Sequence, residues 1–441
     1  MQDTPIELES WGRYPHTRCI PHSTCWRTDP LPKTNGKTIL PYGLGRSYGD
    51  CCLNDGGVSL QTRWMNKFIS FDKSTGVLSC EGGTTLDQIL QLTVPCGWFL
   101  PTTPGTKFVT VGGAIANDVH GKNHHRAGTF GCHVRRFELR RSDGETLICS
   151  TGENPEWFQA TIGGLGLTGL ITWATFQLRA IDSSFISMES IKFGNLTEFF
   201  AISEDSDRDF EYTVAWIDAL ARGANLGRGI FMRGNHAAKT STHGLAVHGK
   251  QKLEIPVDAP NFLLNPVTVR GFNFAYYQKQ QTKVKRSVTH YDPFFYPLDA
   301  IGKWNRIYGR RGFFQYQSLV PFTDGPEVSR EMLSRIGRSG QASFLTVLKT
   351  FGRVSSPGIL SFPRPGITLA LDFPNNGQST VKLFAELDEI VRNAGGRIYP
   401  AKDARMSAQD FQDAYSQWGF FARYIDPHFS SSFWRRVTKQ R

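Results

Sequence analysis

In the first part of the chain the apolar positions come in short runs broken by glycine turns, which predicts short strands. Lys37–Tyr42, Gly76–Cys80 and Val134–Arg141 are such runs, and Ser142-Asp143-Gly144-Glu145 has the make-up of a hairpin turn. One helix is expected there, over Thr85–Leu92, because Leu86, Ile89 and Leu90, with Val94 just beyond, share one side at helical spacing. From about residue 185 to residue 396 the runs lengthen and alternate with helices. Phe313–Val320 reads as a strand, Pro326–Ile336 as a helix stopped by Gly337, and Ser343–Phe351 as a second strand. Ile367–Phe373 opens the next unit. Its helix, Thr380–Asn393, has Leu383, Phe384, Leu387, Ile390 and Val391 as an apolar stripe and ends at Gly395-Gly396, before a closing strand Arg397-Ile398-Tyr399. The pattern is that of an α+β chain whose last segment returns to the first.

Size agrees with more than one core. A single core rarely grows past roughly 250–300 residues, and this chain has 441. Hydrophobic residues at 39% and charged residues at 20% describe a globular protein, neither disordered nor fibrous. The net charge of +11 admits nucleic acid, an anionic membrane or a phosphorylated substrate as partner. Nucleic acid is the weakest of these, because the cations are scattered and no nucleic-acid motif is present. The exception is the run Lys279, Lys283, Lys285, Arg286, which reads as a solvated loop; the region 279–290 is also where a membrane surface would be met. All eight cysteines fall within the first 149 residues and none forms CxxC, so neither a zinc site nor a disulfide scaffold is indicated. No leader and no spanning run is evident, and a reducing cytoplasm is the expected compartment.

Three glycine-rich segments are candidates for cradling a phosphate. In Gly43-Leu44-Gly45-Arg46-Ser47-Tyr48-Gly49, Tyr48 stands where a dinucleotide fingerprint needs its third glycine, and no amphipathic helix follows. Gly163-Gly164-Leu165-Gly166-Leu167-Thr168-Gly169 contains GxGxxG but runs into Leu170–Leu178, rich in strand formers. A Rossmann site needs a helix N-terminus at that point, so nicotinamide binding of that kind is excluded. The middle segment, Pro104 to His125, is the informative one. Small residues from Gly112 to Ala116 let a flat or anionic ligand approach the main chain, and His120, Lys122, His124 and His125 follow. As a metal site these histidines lack carboxylate partners, and no metal is expected. A purely structural glycine turn is the other reading.

Taken together, these segments resemble the FAD-binding, PCMH-type domain of the vanillyl-alcohol-oxidase superfamily, and within it the decaprenylphosphoryl-β-D-ribose oxidase family. Gly43–Asp50, Val109–Ala116 with His120–His125, and Gly166–Thr172 are similar to that family's flavin loops. Tyr296–Asp299, Trp304–Arg306, Gln315–Gln317, Ser361–Pro363 and Ala401–Asp403 are similar to its substrate side, in the same order and over almost the whole chain.

The resemblance implies a flavin domain over 1–184, an inserted α+β substrate domain on an antiparallel sheet over 185–396, and a segment 397–441 that rejoins the first. It implies FAD held by Gly43, Leu44, Gly45, Arg46, Ser47, Tyr48, Gly105, Thr106, Thr110, Gly112, Gly113, Ala116, Asn117, Gly121, Asn123, His124, Gly169, Ile171 and Tyr399. Arg46 stands where many superfamily members have a flavin-linked histidine, so the implied flavin is non-covalent and Arg46 a partner for its diphosphate. The implied reaction oxidises a sugar hydroxyl to a ketone by hydride transfer to flavin N5. Its implied substrate is the 2′-hydroxyl of a polyprenylphosphoryl pentose, in an epimerisation completed by an NADH-dependent short-chain reductase. Lys402 matches the cation that meets charge on the reduced flavin, and His120 a base or orienting donor. Lys122, Trp216, Arg306, Gln315, Gln317 and Lys349 match pocket positions.

Gln315 and Gln317, two apart in a strand, share a face, either toward a polar pocket or toward water. Trp216 by itself is more often a core residue than a pocket residue. Ala370, Thr368 and Phe295 replace a cysteine, an asparagine and a tyrosine of the family, and the tail after Asp426-Pro427 is shorter; these departures touch the pocket and not the flavin loops. Two other functions remain: an aldonolactone or alditol oxidase passing electrons to oxygen, and a non-catalytic basic protein binding anions or lipid.

Overall fold

A computed structural model describes residues 4–240, 243–251, 253–341 and 344–439. The first part holds two sheets. Ile6–Leu8, Thr17–Ser23, Ile39–Tyr42 and Val58–Gln61 form a four-stranded sheet in which the second and third strands both run parallel to the fourth. Phe68–Asp72, Val77–Glu81, Val134–Arg140, Thr146–Ser150 and Leu170–Gln177 form an antiparallel sheet of five with Leu170–Gln177 in its centre. The segment after GxGxxG is thus a strand, as its β-branched and aromatic content requires. The expected helix runs Leu86–Thr93, started by a capping box in which Thr85 accepts from the Gln88 amide while the Gln88 side chain takes the Thr85 N–H.

Where the sequence suggests a glycine loop, Val111–Ala116 is a short helix. Its composition disfavours helix, and two local contacts overcome that. Thr110 caps it by accepting from the Gly113 N–H, and the Gly112 N–H donates to the Gly82 carbonyl at 2.7 Å. A Cβ on Gly112 would lie 3.1 Å from that same oxygen, so any larger residue would push the helix back by a few tenths of an ångström.

The second half is built on an eight-stranded sheet, antiparallel throughout, whose strands include Tyr212–Ile217, Gly229–His236, Thr346–Phe351, Gly366–Pro374 and Phe313–Val320. Alternation sorts its side chains. Phe314, Tyr316, Leu348, Leu369, Leu371, Phe373, Ala215 and Ile217 join the main core, with Leu333 and Ile336 of helix Gly325–Ser339 and Leu383, Phe384 and Leu387 of helix Gln378–Asn393. The intervening residues face the other way. The helix expected to stop at Gly337 continues to Ser339 and ends on Gly340, which takes the left-handed conformation at φ 69°. Gly337 is tolerated inside because Met332, Leu333 and Ile336 bury their side chains on the sheet, which offsets the ~1 kcal/mol cost of a helical glycine. The next strand was expected from Ser343, which lies outside the described residues; its described part is Thr346–Phe351.

The basic run is a loop only as far as Lys283, and Lys285 and Arg286 lie on a strand. Val284–His290 is the edge strand of the eight-stranded sheet, and Lys283 and Arg286 are ion-paired with Glu198 and Glu189. Beyond Arg397–Ile398 the chain returns to the N-terminal half. The Ile39 N–H donates to the His428 carbonyl at 2.7 Å, and the Ser432 N–H to that of Leu53 at 2.8 Å. All eight cysteines are free thiols, and among the described residues no helix is long and apolar enough to cross a membrane.

Candidate active site

A cavity of about 400 Å³ separates the glycine segments from the open face of the eight-stranded sheet. Gly43 through Tyr48, Gly105, Thr106, Thr110, Gly112, Gly113, Ala116, Asn117, Gly121, Gly169 and Ile171 line one side. Trp216, Gln315, Gln317 and Lys349 line the sheet side, and His120, Lys122, Tyr399 and Lys402 also face the space. Strand register explains the grouping. Gln317 stands opposite Ala370, which stands opposite Val347, and Val347 opposite Trp216; one row further, Lys349 faces Thr368. Both glutamines therefore point to a pocket rather than to water.

The glycine side fits a dinucleotide. A Cβ on Gly105 would meet nothing within 4 Å, so its bare backbone leaves open space, whereas one on Gly43 would lie 2.5 Å from Thr110 Oγ1. Gly45, at φ +61°, turns the chain where a side chain would strike the Tyr42 hydroxyl at 2.1 Å. Arg46 lies beneath, its guanidinium 4.0 Å from the centre of the Trp11 ring and its Nε buried without a partner. Burial holds this guanidinium below its ordinary value although Asp299 partly offsets it. A half-buried cation with its Nε buried and unpartnered matches a diphosphate.

The sheet end is polar. Gln317 Nε2 lies 3.1 Å from His120 Nε2 and donates to Thr368 Oγ1 at 3.3 Å. His120 Nδ1 has no partner. Burial, then Lys349, His124 and Lys402, keep its imidazole well below the ordinary value, so it is neutral at physiological pH. Tyr399 donates its hydroxyl to the Asn117 carbonyl at 2.8 Å. Three lysines converge here, and none has a salt bridge among the described residues. Lys402 lies 3.7 Å over the Tyr48 ring, and burial lowers it to about 7 against the pull of Asp372 and Cys51. Lys349 donates to the Gly121 carbonyl at 3.4 Å and is lowered by burial to about 8. Lys122 donates to the Phe294 carbonyl, and burial, with Lys349, brings it to about 7. Three poorly compensated cations in one cavity make a receptor for anionic charge.

Three expected residues lie off the cavity wall. Asn123 is buried and braces the turn, donating to the Pro101 carbonyl at 2.8 Å and accepting from Thr102 at 3.0 Å. His124 sits behind His120, its ring 4.4 Å from that of Phe351, and burial lowers it to about 3. Arg306 is the clearest departure: it donates to the carbonyls of Ile255 and Pro256 and lies 3.8 Å from Asp258, so its donors are spent on a neighbouring segment. Asp372 was missed. It is fully buried, accepts from Gln315 at 2.6 Å and Tyr308 at 3.3 Å, and burial raises it to about 7. The signal for it was an acid two residues after Ala370 inside an apolar strand. Trp11, under Arg46, had no signal at all.

A family model described as an FAD binding domain matches residues 31–150. The decaprenylphosphoryl-beta-D-ribose oxidase of Mycolicibacterium smegmatis is 37% identical, over 98% of this chain and 98% of that protein. The chain belongs to the decaprenylphosphoryl-β-D-ribose oxidase family. Like that family it is an FAD-dependent oxidoreductase. An uncharacterised protein of Streptomyces coelicolor is 34% identical over 73% of this chain and 89% of its own. The L-gulonolactone oxidase 5 of Arabidopsis thaliana is 28% identical over 29% of this chain and 23% of its own, a likeness far shorter than that to the decaprenylphosphoryl-β-D-ribose oxidase family.

Proposed function

We propose that this oxidoreductase converts the 2′-hydroxyl of a polyprenylphosphoryl pentose to a ketone, with FAD held non-covalently. Residues 1–184 and 397–441 serve as the flavin domain and 185–396 as the substrate domain. One observation carries the substrate class: Lys122, Lys349 and Lys402, each half-buried, line a single cavity without a salt bridge among the described residues, beside apolar Trp216 and Val347. A phosphate on an apolar carrier satisfies both features, and a free polyol neither.

FAD, when bound, supplies the hydride acceptor. Arg46 and the main chain of 104–117 hold its diphosphate, and a chain with arginine at position 46 has no histidine there to link to it. Lys402 orients the substrate hydroxyl and supplies positive charge. Gln317 sets the tautomer of His120. When its amide N–H donates to Nε2 the imidazole proton is on Nδ1; when the amide is turned, its oxygen accepts from Nε2–H and the Nδ1 lone pair is free to take the carbinol proton. The reverse half of the epimerisation falls to an NADH-dependent short-chain reductase. A lipid-carried substrate would be met at the cytoplasmic face of a membrane.

The test is anaerobic stopped-flow reduction of the holoprotein. A short-chain polyprenylphosphoryl pentose is expected to bleach the flavin, and free alditols and aldonolactones are not. Bleaching by the free polyols alone would overturn this reading in favour of an alditol or lactone oxidase.

A further inference from the structure

Helix Pro266–Gln278 shows solvent an uncharged face where a solvated helix normally carries charge. Its inner side is fixed. Val269 and Asn273 are buried, Asn273 donates to Asp218 at 2.9 Å, and Tyr276 packs on Trp216 with ring centroids 4.6 Å apart while lining the cavity. Opposite that side, at helical spacing, stand Val267, Gly271, Phe274, Ala275 and Gln278, with no charged residue among them. Val267 is 76% and Phe274 57% exposed. The segment entering the helix adds Leu253, Val257 and Phe262, exposed by 66%, 69% and 77%. Of the 20 large apolar side chains exposed among the described residues, 7 fall between 253 and 274. Such a concentration marks a surface that is covered in use.

Charge identifies what covers it. From Ala259 to Tyr291 the chain carries Arg270, Lys279, Lys283, Lys285 and Arg286 and no aspartate or glutamate, and the two acids at the start of the apolar segment are ion-paired, Glu254 with Lys303 and Asp258 with Arg13. Glu198 and Glu189 take Lys283 and Arg286, leaving Arg270, Lys279 and Lys285 without a salt bridge among the described residues. Apolar side chains flanked by unpaired cations suit the headgroup boundary of an anionic bilayer, where apolar burial and attraction to acidic lipid add. The same helix separates this face from the cavity, with Tyr276 on the inside and Phe274 on the outside.

We propose that residues 253–274, with the cationic strand Val284–His290 beside them, dock on an anionic lipid bilayer and bring the Trp216–Tyr276 end of the cavity to the membrane. Docking gives a lipid-carried substrate a path that does not cross water; this purpose rests on the substrate class proposed above, whereas the contact itself does not.

The experiment is co-sedimentation of the FAD-loaded protein with vesicles of phosphatidylglycerol and phosphatidylcholine, and with phosphatidylcholine alone. Binding to the anionic vesicles is expected, weakened by added salt and reduced roughly tenfold by Val267→Glu and again by Phe274→Glu. Both positions are solvent-exposed, so the variants fold, and retained flavin absorbance checks this. Equal binding by wild type and the double variant, or none by either, would overturn the proposal. So would concentration-dependent self-association, abolished by Phe274→Glu, without vesicle binding, since the occupant would then be a second copy. The same variants should oxidise a water-soluble short-chain substrate at the wild-type rate. If wild type fails to oxidise that substrate the substrate assignment falls, while the vesicle result stands by itself.

Discussion

The side-chain amide of Gln317 lies 3.1 Å from Nε2 of His120, tying the central sheet of the second half to the segment that follows the glycine helix. The two residues are 197 positions apart. The contact gives the imidazole one fixed neighbour and leaves Nδ1 without any, so in the tautomer protonated on Nε2 its lone pair is open to a substrate proton. Replacing Gln317 by Leu keeps the volume and removes the tether. Substrate-driven flavin reduction should slow by ~10²-fold, the usual order for a positioned acid–base group, with FAD content unchanged. Stopped-flow absorbance measures both. An unaltered rate would mean His120 takes no part in the proton transfer.

Lys402 gives a pH dependence of definite sign. Burial lowers its ammonium to about 7 in the cavity, with Asp372 pulling the other way. If the positive charge assists the reaction, the reduction rate is highest while Lys402 is protonated and falls as pH rises through a midpoint at or above about 7. Removing the charge with Lys402→Met should lower the rate by ~10²-fold and erase that midpoint. The profile is read from single-turnover rates across neutral pH. A midpoint that survives in the variant would belong to another group, such as Lys349, which burial brings to about 8.

What the sequence makes legible divides along physical lines. Strand Phe313–Val320 is readable to the residue because alternation and flanking turns are local properties. The glycine helix Val111–Ala116 is not, since its stability comes from a threonine cap and from contact with Gly82 on a distant turn. The cavity wall formed by Gln315, Gln317 and Lys349 follows from strand periodicity combined with family likeness. Asp372 escapes notice because its meaning depends on register: it acts only by standing opposite Gln315 on the neighbouring strand. Arg306 misleads for the converse reason. Its motif is present, but the carbonyls that occupy it come from residues 255 and 256, and no local pattern reveals that.

Arg46 tests the flavin site itself. Its Nε is buried without a partner and its guanidinium rests on Trp11. Arg46→Ala removes a charge-assisted contact of about 1.5–3 kcal/mol, so affinity for FAD should drop roughly tenfold to a hundredfold. Reconstitution of apoprotein followed by flavin fluorescence quenching gives the constant. In the wild type, acid precipitation should release all of the FAD into the supernatant; flavin retained on the precipitated chain would contradict non-covalent binding.

Arg436 supports the site from the far end of the chain. It donates to both oxygens of Asp50, at 2.9 and 2.7 Å, and to Asp403 at 2.9 Å. Those two acids follow Gly49 and Lys402 directly, and they are 3% and 5% exposed. The strands of chain they belong to touch closely: the Tyr48 N–H donates to the Ala401 carbonyl at 2.9 Å, and a Cβ on Gly49 would lie 1.7 Å from the Asp403 carbonyl oxygen. Burial already raises the Asp50 carboxyl, and Arg436 works against that rise. In Arg436→Met two buried carboxylates face each other without a cation, at a cost of about 3–5 kcal/mol. The sign with pH follows. The Asp50 carboxyl, raised by burial and no longer checked by Arg436, then has a folded value above the unfolded value of about 3.9, so its contribution is fully present below that value and is lost as pH rises through the folded one. The deficit of the variant against wild type should therefore be largest at neutral pH and should narrow on acidification toward about pH 4. Denaturant titrations at several pH values measure it, and a deficit that widens on acidification would show that Arg436 does not hold these carboxylates in check.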